Sequence, residues 1–265
     1  MRSPHASVTA SRATTTLTTS SLPAMLHPAS PLPVNPLATV ATSVAPTAPA
    51  AVARVALVAG ATGLVGRAVL ARLRADKQYS AVHCVGRRAP GQQDPKLRVH
   101  LTESFSTFVA PPVDDVFIAL GTTIEVAGSQ QAFRALDLDA VVALARAARS
   151  AGATRLGVIS AMGADRQSRV FYNRVKGEME AQVCALGFDI VVIARPSLLT
   201  GDRASLHQPR RVAEEWALHA FKWLIPLIPA NYRPVDAGQV ACALVKALQT
   251  AAPGGHVLLS GELRA

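Results

Sequence analysis

Val55-Ala56-Leu57-Val58-Ala59-Gly60-Ala61-Thr62-Gly63-Leu64-Val65-Gly66 is the stretch that decides the fold. Its first five residues form an apolar run of strand length that ends at a glycine. Past the glycines, Leu64, Val65, Val69, Leu70 and Leu73 recur at helical spacing up to Arg74. A strand, a turn carrying Gly60, Gly63 and Gly66, and then a helix is the order of a dinucleotide-binding loop, although an ordinary strand-to-helix turn also uses glycine. Each glycine has its own task. The first permits a tight turn, the second lets backbone approach a pyrophosphate, and the third lets helix and strand pack closely. The free N–H groups of the first helical turn and the positive end of its dipole then face the phosphates. Gly60, Ala61, Thr62, Gly63, Leu64, Val65 and Gly66 are therefore the expected phosphate cradle.

Working outward, largely apolar runs at residues 81–85, 116–120, 156–160, 190–194 and 256–259 have strand length, and 97–101 reads as a weaker third strand. Helical patterns cover 64–74, 130–150, 168–186 and 240–248, with Gly152 and Gly187 as stop signals for two of them. Strand and helix alternate, which predicts an α/β domain of Rossmann type: a doubly wound, mostly parallel sheet with a small C-terminal region covering the substrate. The domain is expected over residues 53–265. Residues 1–52 are rich in Ser, Thr, Ala and Pro and lack Asp and Glu, so they read as a disordered leader. An acid-free leader with Arg2 and Arg12 has features of an organellar transit peptide. Its few arginines and the lack of an amphipathic pattern make a cytoplasmic location the first expectation and an organellar one the alternative.

The bulk composition narrows the partners. Half of the 265 residues are hydrophobic, enough for one sizeable core. The net charge is +10, but the arginines are scattered in pairs and no Lys/Arg run is interleaved with aromatics. This reads as a solvated basic surface, with no nucleic-acid partner. No run of 18 apolar residues is free of charge, so no spanning helix and no membrane partner are expected. The apolar stretch 221–230, broken by Pro226 and Pro229, reads as buried or substrate-covering. Cys84, Cys184 and Cys242 stand far apart, and His207 and His219 lack partners at ligand spacing, so no metal site and no disulfide framework are expected. Cys84 and Cys184 have apolar neighbours and read as small core residues in a reducing compartment. Glu214, Glu215 and Trp216 open the C-terminal region and read as surface residues.

The choice of dinucleotide rests on the residues just after the second strand. A site that prefers NAD usually places an acid there to bind the ribose 2′-hydroxyl. The chain instead reads Val85-Gly86-Arg87-Arg88. Arginine pairs with a 2′-phosphate through charge-assisted hydrogen bonds, so Arg87 and Arg88 point to NADP(H).

Tyr172 and Lys176 lie four apart on a helical pattern and thus on one face. A phenol titrates near pH ~10, and an adjacent ammonium favours its phenolate, so the pair suits proton transfer to or from a substrate oxygen. A helix-surface pair is the plainer alternative.

The segments GATGLVG (60–66), LGTT (120–123), GADRQS (163–168), YNRVKGEME (172–180), ARPSLLTGDR (194–203) and YRPVDAGQVACALVKAL (232–248) together resemble an atypical short-chain dehydrogenase/reductase. The subgroup is that of the Tat-interacting protein and of nucleoside-diphosphate-sugar-epimerase-like proteins. The resemblance implies that Tyr172 is the catalytic acid/base and that Lys176 binds the nicotinamide ribose and tunes Tyr172. It implies that a serine ending the fifth strand orients the substrate oxygen. Relatives often carry two serines there, whereas this chain has Ser160-Ala161: Ser160 is the candidate if the first position works, and the hydroxyl is absent if the second, Ala161, does. Gly121 and Thr122 would line the cofactor, and Arg195-Pro196 matches the turn near the nicotinamide. Thr102-Glu103 stands where an acid contacting adenine is usual. Asp137 and Asp139 would mark a helix break near the site, although acids in such helices are more often solvated.

The expected activity is that of an NADP(H)-dependent oxidoreductase acting on a small-molecule substrate. The alternatives are a non-catalytic NADP(H) sensor or scaffold, and a sugar-nucleotide epimerase or dehydratase. Substrate and oligomeric state stay open.

Overall fold

A computed structural model describes residues 53–201 and 229–264, and the expectations for the leader and for residues 202–228 lie outside them. Seven strands build one sheet: β1 (Arg54–Ala59), β2 (Tyr79–Gly86), β3 (Leu97–Leu101), β4 (Asp115–Ile118), β5 (Arg155–Ile159), β6 (Ile190–Arg195) and β9 (Gly254–Leu259). The sheet is parallel throughout, in the order β3-β2-β1-β4-β5-β6-β9. The strand order reverses between β1 and β4, and a crevice beyond the carboxyl ends of the strands opens at that point. A two-residue pair, β7 (Leu199–Thr200) with β8 (Val235–Asp236), stands apart from the main sheet.

Period-two alternation sends the strand residues to two cores. Ala56, Val58 and Val192 pack beneath α1 (Leu64–Ala75) and α6 (Ala237–Thr250), where Val69, Leu70, Leu73, Val240 and Leu244 are buried. Leu57, Ala59, Val158 and Ile193 pack on the other side. There they meet α4 (Ala140–Ser150) and α5 (Phe171–Cys184) through Val141, Leu144, Val175 and Met179. Each buried Leu contributes roughly 1.5–3 kcal/mol. The helix α6 begins with a reciprocal cap in which the Asp236 carboxylate accepts the Gly238 and Gln239 N–H groups.

The long helical pattern over 130–150 is interrupted. It consists of α3 (Gln130–Arg134), a π turn (Ala135–Asp139) and α4, preceded by a short helix, α2 (Ile124–Ala127). The π turn inserts one extra residue per turn and re-aims the side chains it carries. One expectation is corrected at the end of α5. Cys84 is buried, but Cys184 is exposed, because the last turn of α5 buries Val183 and turns the next residue, Cys184, to solvent.

At the floor of the sheet, opposite the glycine loop, Asp115 is fully buried. It accepts hydrogen bonds from Arg54 Nε at 2.8 Å, Arg54 Nη2 at 2.5 Å and the Tyr79 hydroxyl at 2.6 Å. Burial, then the neighbouring Asp115 charge, push the Tyr79 phenol far above its ordinary range. Tyr79 therefore stays a neutral donor, and the cluster pins β1, β2 and β4 together. Among the described residues no helix is long and apolar enough to cross a membrane.

Candidate active site

The loop between β1 and α1 is shaped by its glycines. Gly60 has φ +83°, and a Cβ there would stand 2.4 Å from the Ala119 carbonyl oxygen. A Cβ on Gly66 would stand 2.0 Å from the Gly60 carbonyl oxygen. Both distances are below any real Cβ contact, so these two positions exclude a side chain. Gly63 meets only the Gly60 oxygen, at 3.4 Å, and it precedes α1 without a side-chain cap. The open N-terminus of α1 therefore presents backbone donors to the crevice.

A cavity of about 240 Å³ lies against this loop. It is walled by Gly60 to Gly63, by the end of β2 with Arg87 and Arg88, and by Gly121 and Thr122 after β4. Both arginines are exposed, and neither has a hydrogen bond or ion pair among the described residues. No acid stands between Gly86 and Arg88. The loop, the helix end and the two cations suit a phosphate-rich dinucleotide. A larger cavity of about 550 Å³ adjoins, sharing Arg87, Phe105, Thr122 and Leu136 and adding Glu103 and Asp139. Leu64, Val65 and Gly66 do not line the smaller cavity; Val65 and Gly66 are buried in the packing of α1.

Tyr172 and Lys176 differ in their surroundings. Tyr172 is half-buried, its ring 5.2 Å from that of Phe133. Lys176, one turn on, is not a surface residue: its side chain is 3% exposed, and its Nζ lies 2.6 Å from Asp137 Oδ1. Among the described residues Oδ1 has no aligned hydrogen bond, so it meets the ammonium as a charge. Asp137 Oδ2 accepts the Thr122 N–H at 3.0 Å. The missing side chain of Gly121 leaves room beside the pair, since a Cβ there would lie 3.5 Å from Asp137 Oδ1 and 3.9 Å from Lys176 Nζ. The expectation that Asp137 is solvated is thus corrected: it is fully buried in the π turn. The helix break near the site that the resemblance implied is present. A sequence signal for it existed, because Phe133, Asp137, Val141, Leu144 and Ala148 form one helical stripe in which only Asp137 is charged.

Ser160 follows β5, is 4% exposed, and its hydroxyl has no partner among the described residues. Its N–H still donates to Ala194, which continues the sheet ladder. Two positions on, Met162 N–H donates to the carbonyl of Pro196, which is buried. The Pro196 turn is held further by Ser197, whose N–H donates to Ser260 Oγ and whose hydroxyl donates to the Arg233 carbonyl. Arg195 pairs with Glu180 of α5 at 2.5 and 3.0 Å, and these hydrogen bonds raise the guanidinium further above its ordinary value.

The GAD and KGE segments belong together in space. A Cβ on Gly177 would stand 2.2 Å from the Arg166 nitrogen, so the 165–166 peptide rests directly on α5. Asp165 N–H also donates to the Asn173 carbonyl. This loop clamps the first turns of α5, where Tyr172 sits. Sequence reasoning singled out both segments without seeing that one fits the other.

The parallel sheet and the glycine loop are those of a Rossmann-type, NAD(P)-binding fold. Residues 56–165 match the model of the NAD dependent epimerase/dehydratase family. A curated relative, the mitochondrial protein fmp52 of Aspergillus niger, is 34% identical over 215 residues, covering 76% of this chain and 87% of the relative. The mitochondrial fmp52 of Emericella nidulans is 38% identical over 164 residues, covering 58% and 70%. The chain belongs to the family of these fmp52 proteins. Among solved structures, MoeE5 in complex with UDP-glucuronic acid and NAD has a TM-score of 0.59 at 18% identity, covering 77% of this chain and 75% of that one. A short chain dehydrogenase family protein from Francisella tularensis has a TM-score of 0.59 at 15% identity, covering 79% and 98%.

Proposed function

We propose that the chain is an NADP(H)-dependent oxidoreductase acting on a small-molecule carbonyl or alcohol, with Tyr172 as acid/base. The observation that carries this is the buried Lys176 ammonium, one helical turn from Tyr172 and next to Gly121, which itself lines the crevice although Lys176 and Tyr172 do not. A lysine is taken out of water only where its charge has a partner, and here the partner stands beside Gly121 and Thr122 of the cofactor loop. Gly60 to Gly63 and the first turn of α1 would hold the pyrophosphate, Arg87 and Arg88 the 2′-phosphate, and Gly121, Thr122, Lys176 and Pro196 the nicotinamide end. When bound, NADP(H) supplies the redox chemistry. Tyr172 passes a proton to or from the substrate oxygen, helped by the Lys176 charge, and Ser160 offers that oxygen its hydroxyl, which has no partner among the described residues.

The family-model match over 56–165 supports a second version of the same chemistry, in which a sugar-nucleotide epimerase or dehydratase keeps its cofactor bound. The mitochondrial names of the relatives favour the organellar alternative for location. The test is NADPH consumption with a panel of carbonyls, quinones and sugar nucleotides. Tyr172→Phe keeps the ring against Phe133, so cofactor binding is expected to persist while turnover falls by roughly a hundredfold or more. Full turnover by Tyr172→Phe contradicts the assignment. Cofactor binding without any turnover leaves the sensor reading in its place.

A further inference from the structure

Between the end of β2 at Gly86 and the start of β3 at Leu97, residues 87–96 form no helix or strand. Arg87 and Arg88 open this segment at the crevice, and Pro90 lines the smaller cavity with them. Residues 87–89 and 91–93 are exposed, and 88–93 make no backbone–backbone hydrogen bond among the described residues. The segment is held instead by side chains of α1 and its own far end. Arg74, in the last turn of α1, donates from Nε to Asp94 Oδ2 at 2.7 Å and from Nη1 to Gln92 Oε1. Lys96 Nζ donates to the Arg74 and Asp76 carbonyls at 3.1 and 2.9 Å, which closes the C-terminal end of that helix. The Arg74 hydrogen bond, and then the Lys96 N–H, hold the Asp94 carboxyl below its ordinary value. Stability alone is a poor reason for this anchor, because the paired side chains are 21% and 18% exposed and such pairs contribute little.

We propose that Arg74 is a positioning residue for dinucleotide specificity: it ties the 87–96 segment to α1, so that Arg87 and Arg88 are held at the crevice for a ligand that carries a 2′-phosphate. This rests on the reading of Arg87 and Arg88 as the 2′-phosphate contacts. The four chain links from Arg88 to Gln92 reach at most about 14 Å. A Gln92 fixed on Arg74 therefore limits how far the two arginines swing away from the crevice. Leu70 and Leu73 are buried beneath the last turns of α1, so the anchor point itself is fixed. The first turn of the same helix faces the expected pyrophosphate cradle, so one rigid element sets the spacing between that cradle and the specificity loop. A loop released from Arg74 spends only part of its time with both guanidiniums in place, and the apparent affinity for a 2′-phosphate falls by that fraction. NADH has no 2′-phosphate and does not draw on the loop.

A double-mutant cycle read by calorimetric titration with NADPH and with NADH tests this, using Arg74→Met, the Arg87→Ala/Arg88→Ala chain and the three substitutions together. Arg74→Met is expected to weaken NADPH binding about fivefold, the upper end for a partly exposed ion pair, and to leave NADH binding where it was. In the Arg87→Ala/Arg88→Ala background the same change is expected to have no further effect on NADPH, because Arg74 acts only through those two residues. A purely structural Arg74 lowers the melting temperature and leaves the ratio of NADPH to NADH affinity unmoved, which overturns the proposal. Equal losses for the two dinucleotides, or a loss of NADPH affinity that is the same in both backgrounds, also overturn it. Should Arg74→Met fail to fold, Asp94→Asn cuts the same ion pair from the loop side, and the same cycle supports the proposal by a coupled, NADPH-selective loss and overturns it by any other result. A wild-type chain that binds neither dinucleotide, or an Arg87→Ala/Arg88→Ala chain that keeps its NADPH affinity, removes the 2′-phosphate reading together with this proposal. A selective loss in Arg87→Ala/Arg88→Ala without one in Arg74→Met removes this proposal alone.

Discussion

Gly66→Ala is the sharpest small perturbation of the account. One methyl group would stand 2.0 Å from the Gly60 carbonyl oxygen, 2.6 Å from the Gly60 carbonyl carbon and 3.1 Å from the Ala61 nitrogen. Relief to ordinary contact requires backbone movement of more than an ångström, because the clash is with main chain and not with a side chain that can turn away. Neither side yields easily: α1 is anchored by Val65, Val69, Leu70 and Leu73, and Gly60 already abuts Ala119 of the crevice. Overpacking of this kind costs about 1–3 kcal/mol, which corresponds to a fall of roughly 2–12 °C in melting temperature for a domain of this size. The loop that moves is also the expected pyrophosphate cradle, so NADPH affinity should fall together with stability. Gly187→Ala is the control. Gly187 has φ +77° but nothing within 4 Å of an added Cβ, so only backbone conformation is strained, at about 1 kcal/mol, and NADPH affinity should not move. Thermal unfolding and calorimetry of the two variants decide the matter. A Gly66→Ala chain that melts and binds NADPH like wild type refutes the reasoning.

Asp115→Ala should be strongly destabilising without touching the proposed cofactor site at the other end of the strands. It strands Arg54 and the Tyr79 hydroxyl, and a loss of about 3 kcal/mol is expected because Arg54 and Arg155 can relax toward water. Chemical denaturation reads the loss, and a change below about 1 kcal/mol contradicts the buried-cluster account. The His83 imidazole, whose Nδ1 lies 2.8 Å from His100 Nε2, is held below its ordinary value by burial and then by His100 and Arg98. The unfolded chain therefore binds this proton more readily, so the contribution is complete above about pH 6.5 and is lost as pH falls below it. Melting temperatures of wild type should drop on acidification through that window, and His83→Gln should drop less; equal drops contradict the assignment.

Much of the fold was legible because most buried parallel strands are continuous apolar runs, and all seven main strands announce themselves within two residues of their ends. The first strand and the glycine loop carried the rest, since Gly60 and Gly66 are needed for reasons of main-chain contact that no other residue satisfies. The two-residue strands β7 and β8 and the single turn of α2 are too short for any period to show. Asp137 was misjudged for a different reason. Whether an acid in a helix is solvated depends on what faces it, and its partner Lys176 comes from another helix. Cys184 failed in the same way, at the exposed end of α5. Gly177 was visible as part of a motif, but its purpose, to seat the 165–166 peptide on α5, is a contact between segments.

The central claim is that the crevice between β1 and β4 takes NADP(H), with Arg87 and Arg88 reading the 2′-phosphate. Calorimetric titration of wild type and of the Arg87→Ala/Arg88→Ala chain with NADPH and with NADH tests it most directly. Both arginines are exposed and unpaired among the described residues, so the substitutions disturb little else. A charge-assisted contact to phosphate is worth about 1.5–3 kcal/mol, so wild type should bind NADPH more tightly than NADH, and the double substitution should weaken NADPH by roughly ten- to a hundredfold while leaving NADH nearly unchanged. Equal losses for the two cofactors, or a wild type that prefers NADH, would contradict the account.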